Sequence, residues 1–193
     1  MFVWPLKKEF ILASASPRRL ELLKSIGVTP SCIIPAKIDE TPHHKEKPRL
    51  YAGRMAKEKA LAVHQQHSDK FVLAADTVVG VGQRILQKPI SQEEAIGHLK
   101  LLSGRRHTVY SGICLITPGG KEYTRVVQTK VVFHRLDSQT ISLLVASQEW
   151  KDAAGSYKIQ GVAGAFVREL IGSYSNVVGL PLRETLALLR SQL

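Results

Sequence analysis

A chain of 193 residues with 44% hydrophobic and 22% charged residues has globular proportions and enough length to bury most of the surface it exposes when unfolded. Its formal net charge of +11 points to anionic partners, but nucleotides, nucleic acid and acidic membranes all satisfy that, so charge alone selects none. Two cysteines, Cys32 and Cys114, far apart and outside any C-x-x-C, exclude a disulfide framework and a thiolate metal site and suit a reducing cytosol. The opening MFVWPLKKEF carries its charges after its apolar residues, the reverse of a secretory signal. Even the apolar stretch Phe71 to Gly82 is interrupted by Asp76, so no membrane span is expected and the reading is a soluble, cytoplasmic protein.

Phe10 to Gly27 (FILASASPRRLELLKSIG) reads as a buried strand, Phe10–Ala13, that turns through Ser14 and Ser16 into a helix. Pro17 suits the first helical position and Ser16 the N-cap, while Leu20, Leu23 and Ile26 recur on one face until Gly27 closes the helix. Arg18 and Arg19 stand where the helix dipole is positive, so each extra cation costs roughly 0.3–1 kcal/mol. Either both point to solvent, or an anion such as phosphate binds at the helix start between hydroxyls and guanidinium forks.

Ser31–Pro35 predicts a second strand, and 37–48 a polar loop containing Asp39 and Glu40. A long helix is expected from Pro48 to about His67, with Ala52, Ala56 and Val63 as its small apolar stripe. Lys59 lies near that packed face, where a lysine either snorkels or meets an anion. Phe71–Val79 (FVLAADTVV) is strongly strand-like, and Asp76 inside it calls for a cation or a catalytic reason, unless it ends the strand and caps a turn. Ile85–Lys88 is its hairpin partner, and Ser91 with Glu94 forms a capping box for a helix to Leu102. His107–Thr117 and Glu122–Phe133 form a hairpin across Pro-Gly-Gly-Lys, and Asp137 or Ser138 caps a helix to about Ser147. The glycine-dense stretch Gly155–Pro181 either closes against a ligand or simply turns; an amphipathic helix with Leu182, Leu186 and Leu189 on one side ends the chain. Strands alternating with helices, plus one antiparallel hairpin, predict an α/β protein with a mixed sheet in a single domain over 1–193.

Common motifs are absent. Gly80-Val-Gly82 lacks the third glycine of a dinucleotide fingerprint, Pro118–Lys121 lacks P-loop spacing, and His64 with His67 has no third zinc ligand. What remains is a set of carboxylates, Asp39, Glu40 and Asp76, with a set of cations, Arg18, Arg19, Lys59 and Lys88. Carboxylates can hold Mg2+ while cations neutralise phosphate oxygens, although surface ion pairs use the same residue types.

L-A-S-x-S-P-R-R-x-E-L-L at the first helix resembles the opening motif of the Maf family of nucleotide pyrophosphatases. Ala75-Asp76-Thr77-Val78-Val79 with Lys88-Pro89 resembles the family's catalytic strand, and Ser103-Gly104 with His107, Val109 and Gly112 its central motif. Gly155–Gly161 and Gly172–Pro181 resemble its closing motifs. The resemblance implies a mixed, twisted central sheet flanked by helices, two lobes with a cleft between them as in inosine-triphosphatase-like folds, and a protein that commonly dimerises. It also implies a nucleoside triphosphate pyrophosphatase that needs a divalent metal, Mg2+ or Mn2+. Position by position, Asp76 matches the catalytic proton acceptor and Glu40, with Asp76, the metal-associated carboxylates. Ser14, Arg19, Lys59 and Lys88 match substrate-contacting positions. Arg18, Thr77 and Gln160 match the trio marking the branch that acts on dTTP and UTP, with modified pyrimidine nucleotides within its scope. One departure is Ala153, where the family pattern D-K-A-G has lysine; Lys151 is the nearest residue able to compensate. The rival reading is a non-enzymatic basic regulator that binds nucleic acid or a cell-division partner. Against it, the basic residues are scattered, with no arginine-rich or aromatic-interleaved tract.

Overall fold

The computed structural model describes Trp4 and residues 8–193, so the reading of the opening segment falls largely outside the described residues. Phe10–Ala13 form strand β1, buried at every position, in parallel with the two-residue β2 (Cys32–Ile33) on one side and β3 (Phe71–Val81) on the other. β3 then pairs antiparallel with β5 (Arg106–Ile116), β5 with β6 (Glu122–Phe133), and β6 with β7 (Val167–Ile171). The result is a mixed seven-stranded sheet of order β2-β1-β3-β5-β6-β7, with β4 (Arg84–Leu86) attached to the far end of β3. The helices are α1 (Pro17–Ser25), α2 (Pro48–His64), α3 (Gln92–Leu102), α4 (Ser138–Ala146), the one-turn α5 (Tyr174–Val178) and α6 (Leu182–Gln192). No described helix is long and apolar enough to cross a membrane.

The period-2 alternation of β3 assigns its side chains to different packing units. Phe71, Leu73 and Ala75 pack with Leu23 of α1 and Leu188 and Leu189 of α6. Val72 and Ala74 face Ala56, Ala60 and Val63 of α2 on the opposite side. Farther along, Val79 enters a separate core built from Leu99 and Leu102 of α3 and Ile141, Leu144 and Val145 of α4. The expected mixed sheet and its two lobes are therefore both present, and β3 runs through each lobe.

A break in one edge of β3 creates the cleft. The register with β1 ends at Ala13–Ala74, and that with β4 begins at Val79–Leu86. Among the described residues, 75–78 have no partner strand on that side, although each is paired to β5 on the other. Asp76 and Thr77 occupy this window.

Four expectations shift. The second strand is two residues rather than Ser31–Pro35, and α2 stops at His64. Ser16 is at the N-cap of α1 but makes no side-chain cap; instead its own N–H donates to the Ser14 hydroxyl at 3.2 Å. The glycine-dense stretch holds β7 and α5 as well as turns. Its strand, VRELI, has no apolar alternation of its own and depends on β6 for its hydrogen bonds.

Candidate active site

The window in β3 opens into a cavity of about 300 Å3 between the end of β1 and the end of β4. Arg18, Arg19, Glu40, Lys59, Asp76, Thr77, Lys88 and Gln160 all line it. Ser14 does not: it is 5% exposed, and its hydroxyl accepts from Arg19 Nη1 at 2.9 Å.

Asp76 and Lys59 meet because α2 lies unusually close to the sheet. Gly112 pairs with Asp76 across the β3–β5 ladder, and a Cβ there would collide with the Ala52 carbonyl. Lys59 follows Ala52 by two helical turns on the same face, so the approach at Gly112 brings its ammonium over Asp76. Lys59 Nζ lies 2.6 Å from Asp76 Oδ1 and 2.9 Å from Glu40 Oε1. Between snorkelling and an anion, the structure selects the anion. Burial pushes the Asp76 carboxyl above its ordinary range, opposed by the charges of Lys59 and Arg19.

Arg19 turns away from the helix dipole and joins three segments. Its Nε donates to the Gly179 carbonyl at 2.9 Å and its Nη2 to Thr77 Oγ1 at 3.3 Å, besides the bond to Ser14. Thr77 Oγ1 also lies 2.8 Å from Ser111 Oγ. Arg18 donates to the Asp152 carbonyl at 3.1 Å, and Lys88 lies 3.9 Å from the Asp152 carboxylate at the exposed mouth. Protein carbonyls and hydroxyls thus hold the unfavourably placed arginines while both still line the cavity. Of the carboxylates, Glu40 lies in the lining, whereas Asp39 accepts from the Thr41 N–H at 2.9 Å, outside it.

Several lining residues had no signal in the sequence. The Tyr51 hydroxyl donates to the Glu40 carbonyl at 2.8 Å and fixes the loop ahead of α2; burial first, then the Asp76 charge, raises its pKa to about 12. Gln87 donates to the same carbonyl at 3.4 Å. The wall from Asp152 to Gln160 is held from behind. His98 Nδ1 is 2.7 Å from Ser156 Oγ, His107 Nε2 is 2.7 Å from the Tyr157 hydroxyl, and Gly155 takes φ +68 against Val79. Burial lowers His107 to about 4, so the ring is neutral and acts as a hydrogen-bonding post. Of these residues, His107 and the run Gly155, Ser156 and Tyr157 stood in recognised motifs, whereas Tyr51, Gln87 and His98 did not.

Asp76 and Glu40 are the two carboxylates that converge on one point. Among the described residues no group of three or more His, Cys, Asp or Glu could hold a metal. Their common neighbour is the Lys59 ammonium, so a divalent cation would use their remaining oxygens; two hard carboxylates suit Mg2+, which takes few protein ligands, and not a structural zinc.

The sequence matches the family described as Maf-like protein over residues 9–192. The chain belongs to the Maf family. Relatives of this Maf chain include a dTTP/UTP pyrophosphatase of Mesorhizobium japonicum, 53% identical over 191 residues and covering 96% of this chain and 92% of the relative. A dTTP/UTP pyrophosphatase of Caulobacter vibrioides is 54% identical over 179 residues, 93% of each chain. Among solved structures, a nucleoside-triphosphatase (dITP/XTP pyrophosphatase) from Mycobacterium abscessus aligns over 95% of this chain and 97% of that one, with 15% identity and a TM-score of 0.47. At its departure from the Maf pattern, Ala153 lies buried in the cavity wall. Lys151 is absent from the lining and sits over the Trp150 ring at 5.7 Å, so it does not replace the missing lysine there.

Proposed function

We propose that residues 1–193 act as one domain that hydrolyses dTTP and UTP, and modified pyrimidine nucleotides of the same shape, to the monophosphate and pyrophosphate. The observation that carries this reading is a buried carboxylate, Asp76, bridged to Lys59 in a gap of the sheet that opens onto a cation-lined cavity. The relatives, named as dTTP/UTP pyrophosphatases, support the substrate class. Asp76 takes a proton from the attacking water as its oxygen bonds to the α-phosphorus; the bond from that phosphorus to the β-bridging oxygen breaks, and pyrophosphate leaves. A base in this role contributes about 10²- to 10⁴-fold, and a pKa raised by burial brings its strength nearer to the working pH. Arg19, Lys59 and Lys88 hold the phosphates, with Ser14 orienting Arg19 from behind. Asp76 and Glu40 would hold Mg2+ or Mn2+, which supplies charge neutralisation to the phosphate oxygens. Thr77, Arg18 and Gln160 read the pyrimidine.

The rival reading, a basic regulator, gains nothing from the geometry, because these cations converge on one cavity instead of spreading along a surface. A cytoplasmic location and a homodimer belong to the same proposal. The test is pyrophosphate release from a panel of nucleoside triphosphates with and without Mg2+ or Mn2+. Release that is metal-dependent and favours UTP and dTTP is expected; no release from any nucleotide, together with salt-sensitive DNA binding, would reverse the reading.

A further inference from the structure

The wall from Asp152 to Gln160 contributes a cation that the mechanism above does not use. Lys158 lines the cavity and is half-buried. Each other cation of that lining is tied to the protein: Arg18 and Lys88 to Asp152, Arg19 to Gly179 and its neighbours, and Lys59 to Asp76 and Glu40. The Lys158 side chain has neither a hydrogen bond nor an ion pair among the described residues. An ammonium that loses part of its water without gaining a counter-charge is unfavourable unless a ligand brings that charge.

The backbone that carries Lys158 is firmly placed. The Ser156 N–H donates to the Ala153 carbonyl at 3.0 Å, and the Gly161 N–H donates to the Lys158 carbonyl at 3.1 Å. Between these turns, the Tyr157 hydroxyl is anchored 2.7 Å from His107 Nε2. The lysine is thus fixed at its root and free at its tip. A pyrimidine offers that tip a neutral carbonyl, whereas a triphosphate offers about four negative charges, which a compact ammonium prefers.

We propose that Lys158 binds the phosphate chain of the nucleotide, supplying a charge that the neighbouring Ala153 cannot. This rests on the pyrophosphatase reading. It is tested by calorimetric titration of the parent, Lys158→Ala and Lys158→Arg with inorganic tripolyphosphate, alongside kcat and KM for UTP and GTP and a melting temperature for each protein. Lys158→Ala should bind tripolyphosphate roughly 10-fold more weakly and raise KM for UTP by a similar factor. The UTP-to-GTP ratio of kcat/KM and the melting temperature should stay as in the parent, and Lys158→Arg should recover most of the loss. Undiminished tripolyphosphate binding by Lys158→Ala overturns the assignment. So does a change confined to the UTP-to-GTP ratio, which would make Lys158 a reader of the base. A parent that neither binds tripolyphosphate nor releases pyrophosphate overturns the pyrophosphatase reading as well; a parent that does both, matched by Lys158→Ala, overturns the Lys158 assignment alone.

Discussion

Gly112→Ala adds one methyl group at the point where α2 meets the sheet. The new Cβ would lie 2.6 Å from the Ala52 carbonyl carbon and 3.0 Å from the Ala56 Cβ. Carbon atoms rest about 3.5–4.0 Å apart, so the helix has to retreat by about 1 Å. Neither partner can swing aside, because one belongs to a helix backbone and the other to a strand paired on both edges. Overpacking typically costs about 1–3 kcal/mol where side chains can adjust, and the rigid contact here puts the cost near 3 kcal/mol. At about 2–4 °C per kcal/mol for a chain of this size, the melting temperature should fall by about 6–12 °C. Lys59 moves with the helix, so its 2.6 Å contact with Asp76 stretches beyond hydrogen-bond range and leaves a buried carboxyl that prefers its proton. Turnover of UTP should fall by on the order of 10-fold or more, since losing its nearest cation raises the pKa of the buried carboxyl further and misplaces a phosphate-binding ammonium. Thermal unfolding followed by circular dichroism and steady-state pyrophosphate release read the two effects. Gly97→Ala is the control: it lies in α3 with nothing within 4 Å of its Cβ, so it should stabilise by about 0.4–1 kcal/mol. A Gly112→Ala protein that melts with the parent and turns over UTP within about 2-fold would refute the idea that this close approach sets the Lys59–Asp76 contact.

Asp76→Asn should lower kcat by on the order of 10² or more while tripolyphosphate still raises the melting temperature; turnover near the parent rate would remove Asp76 as the base. Lys59→Met takes away the nearest cation that restrains the raised Asp76 pKa, so the acid limb of the kcat/KM profile should move to higher pH, and an unmoved limb would uncouple the two residues. Gln160→Glu should reduce kcat/KM for UTP and dTTP more than for GTP, by about 3- to 10-fold given the exposed position of this side chain, whereas a uniform fall would make Gln160 a loop anchor. Glu46 is gripped by Arg54 through bonds of 2.8 and 2.6 Å, which holds its carboxyl below the ordinary 4.5. A depressed carboxylate pKa stabilises the fold above the unfolded value and loses that contribution as pH falls through the folded one. Arg54→Ala should therefore cost about 1–2 kcal/mol at pH 7, and its melting curve should converge on the parent's as the pH is taken below about 4; a gap independent of pH would assign the cost to lost packing on Tyr51.

The sequence carried the elements whose signals are local. The strand, turn and helix from Phe10 to Gly27, the β5–β6 hairpin and the Ser91 cap are each written in a short run of residue types, and each is found. Asp76 was legible because an acid in an apolar strand has few bland explanations. Lys59 was legible only as a choice, since helical periodicity gives the face it occupies but not what stands opposite. The wall from Asp152 to Gln160 was legible only through its family motif, because its glycines and hydroxyls do not by themselves say whether they turn or close on a ligand; what fixes it, His98 and His107, comes from other elements. β7 was hidden for a related reason, since an edge strand borrows its order from the neighbour that pairs with it. The gap beside residues 75–78 is a property of two registers together, which no single stretch of sequence encodes.

That gap divides the labour of evolution as well as the sheet. The groups on the β1 side, Ser14 and Arg19, rest on the α1–α6 core, whereas Lys88 and the Asp152–Gln160 wall rest on the α3–α4 core. Asp76 belongs to the strand that both cores share. Distant substitutions in separately packed regions combine nearly additively. A change that repacks α3 against α4 can therefore shift the wall that contacts one end of a ligand while the acid and its lysine keep their spacing. Under the proposed function, such a change would alter which ligands are admitted while leaving the Asp76–Lys59 pair as it is.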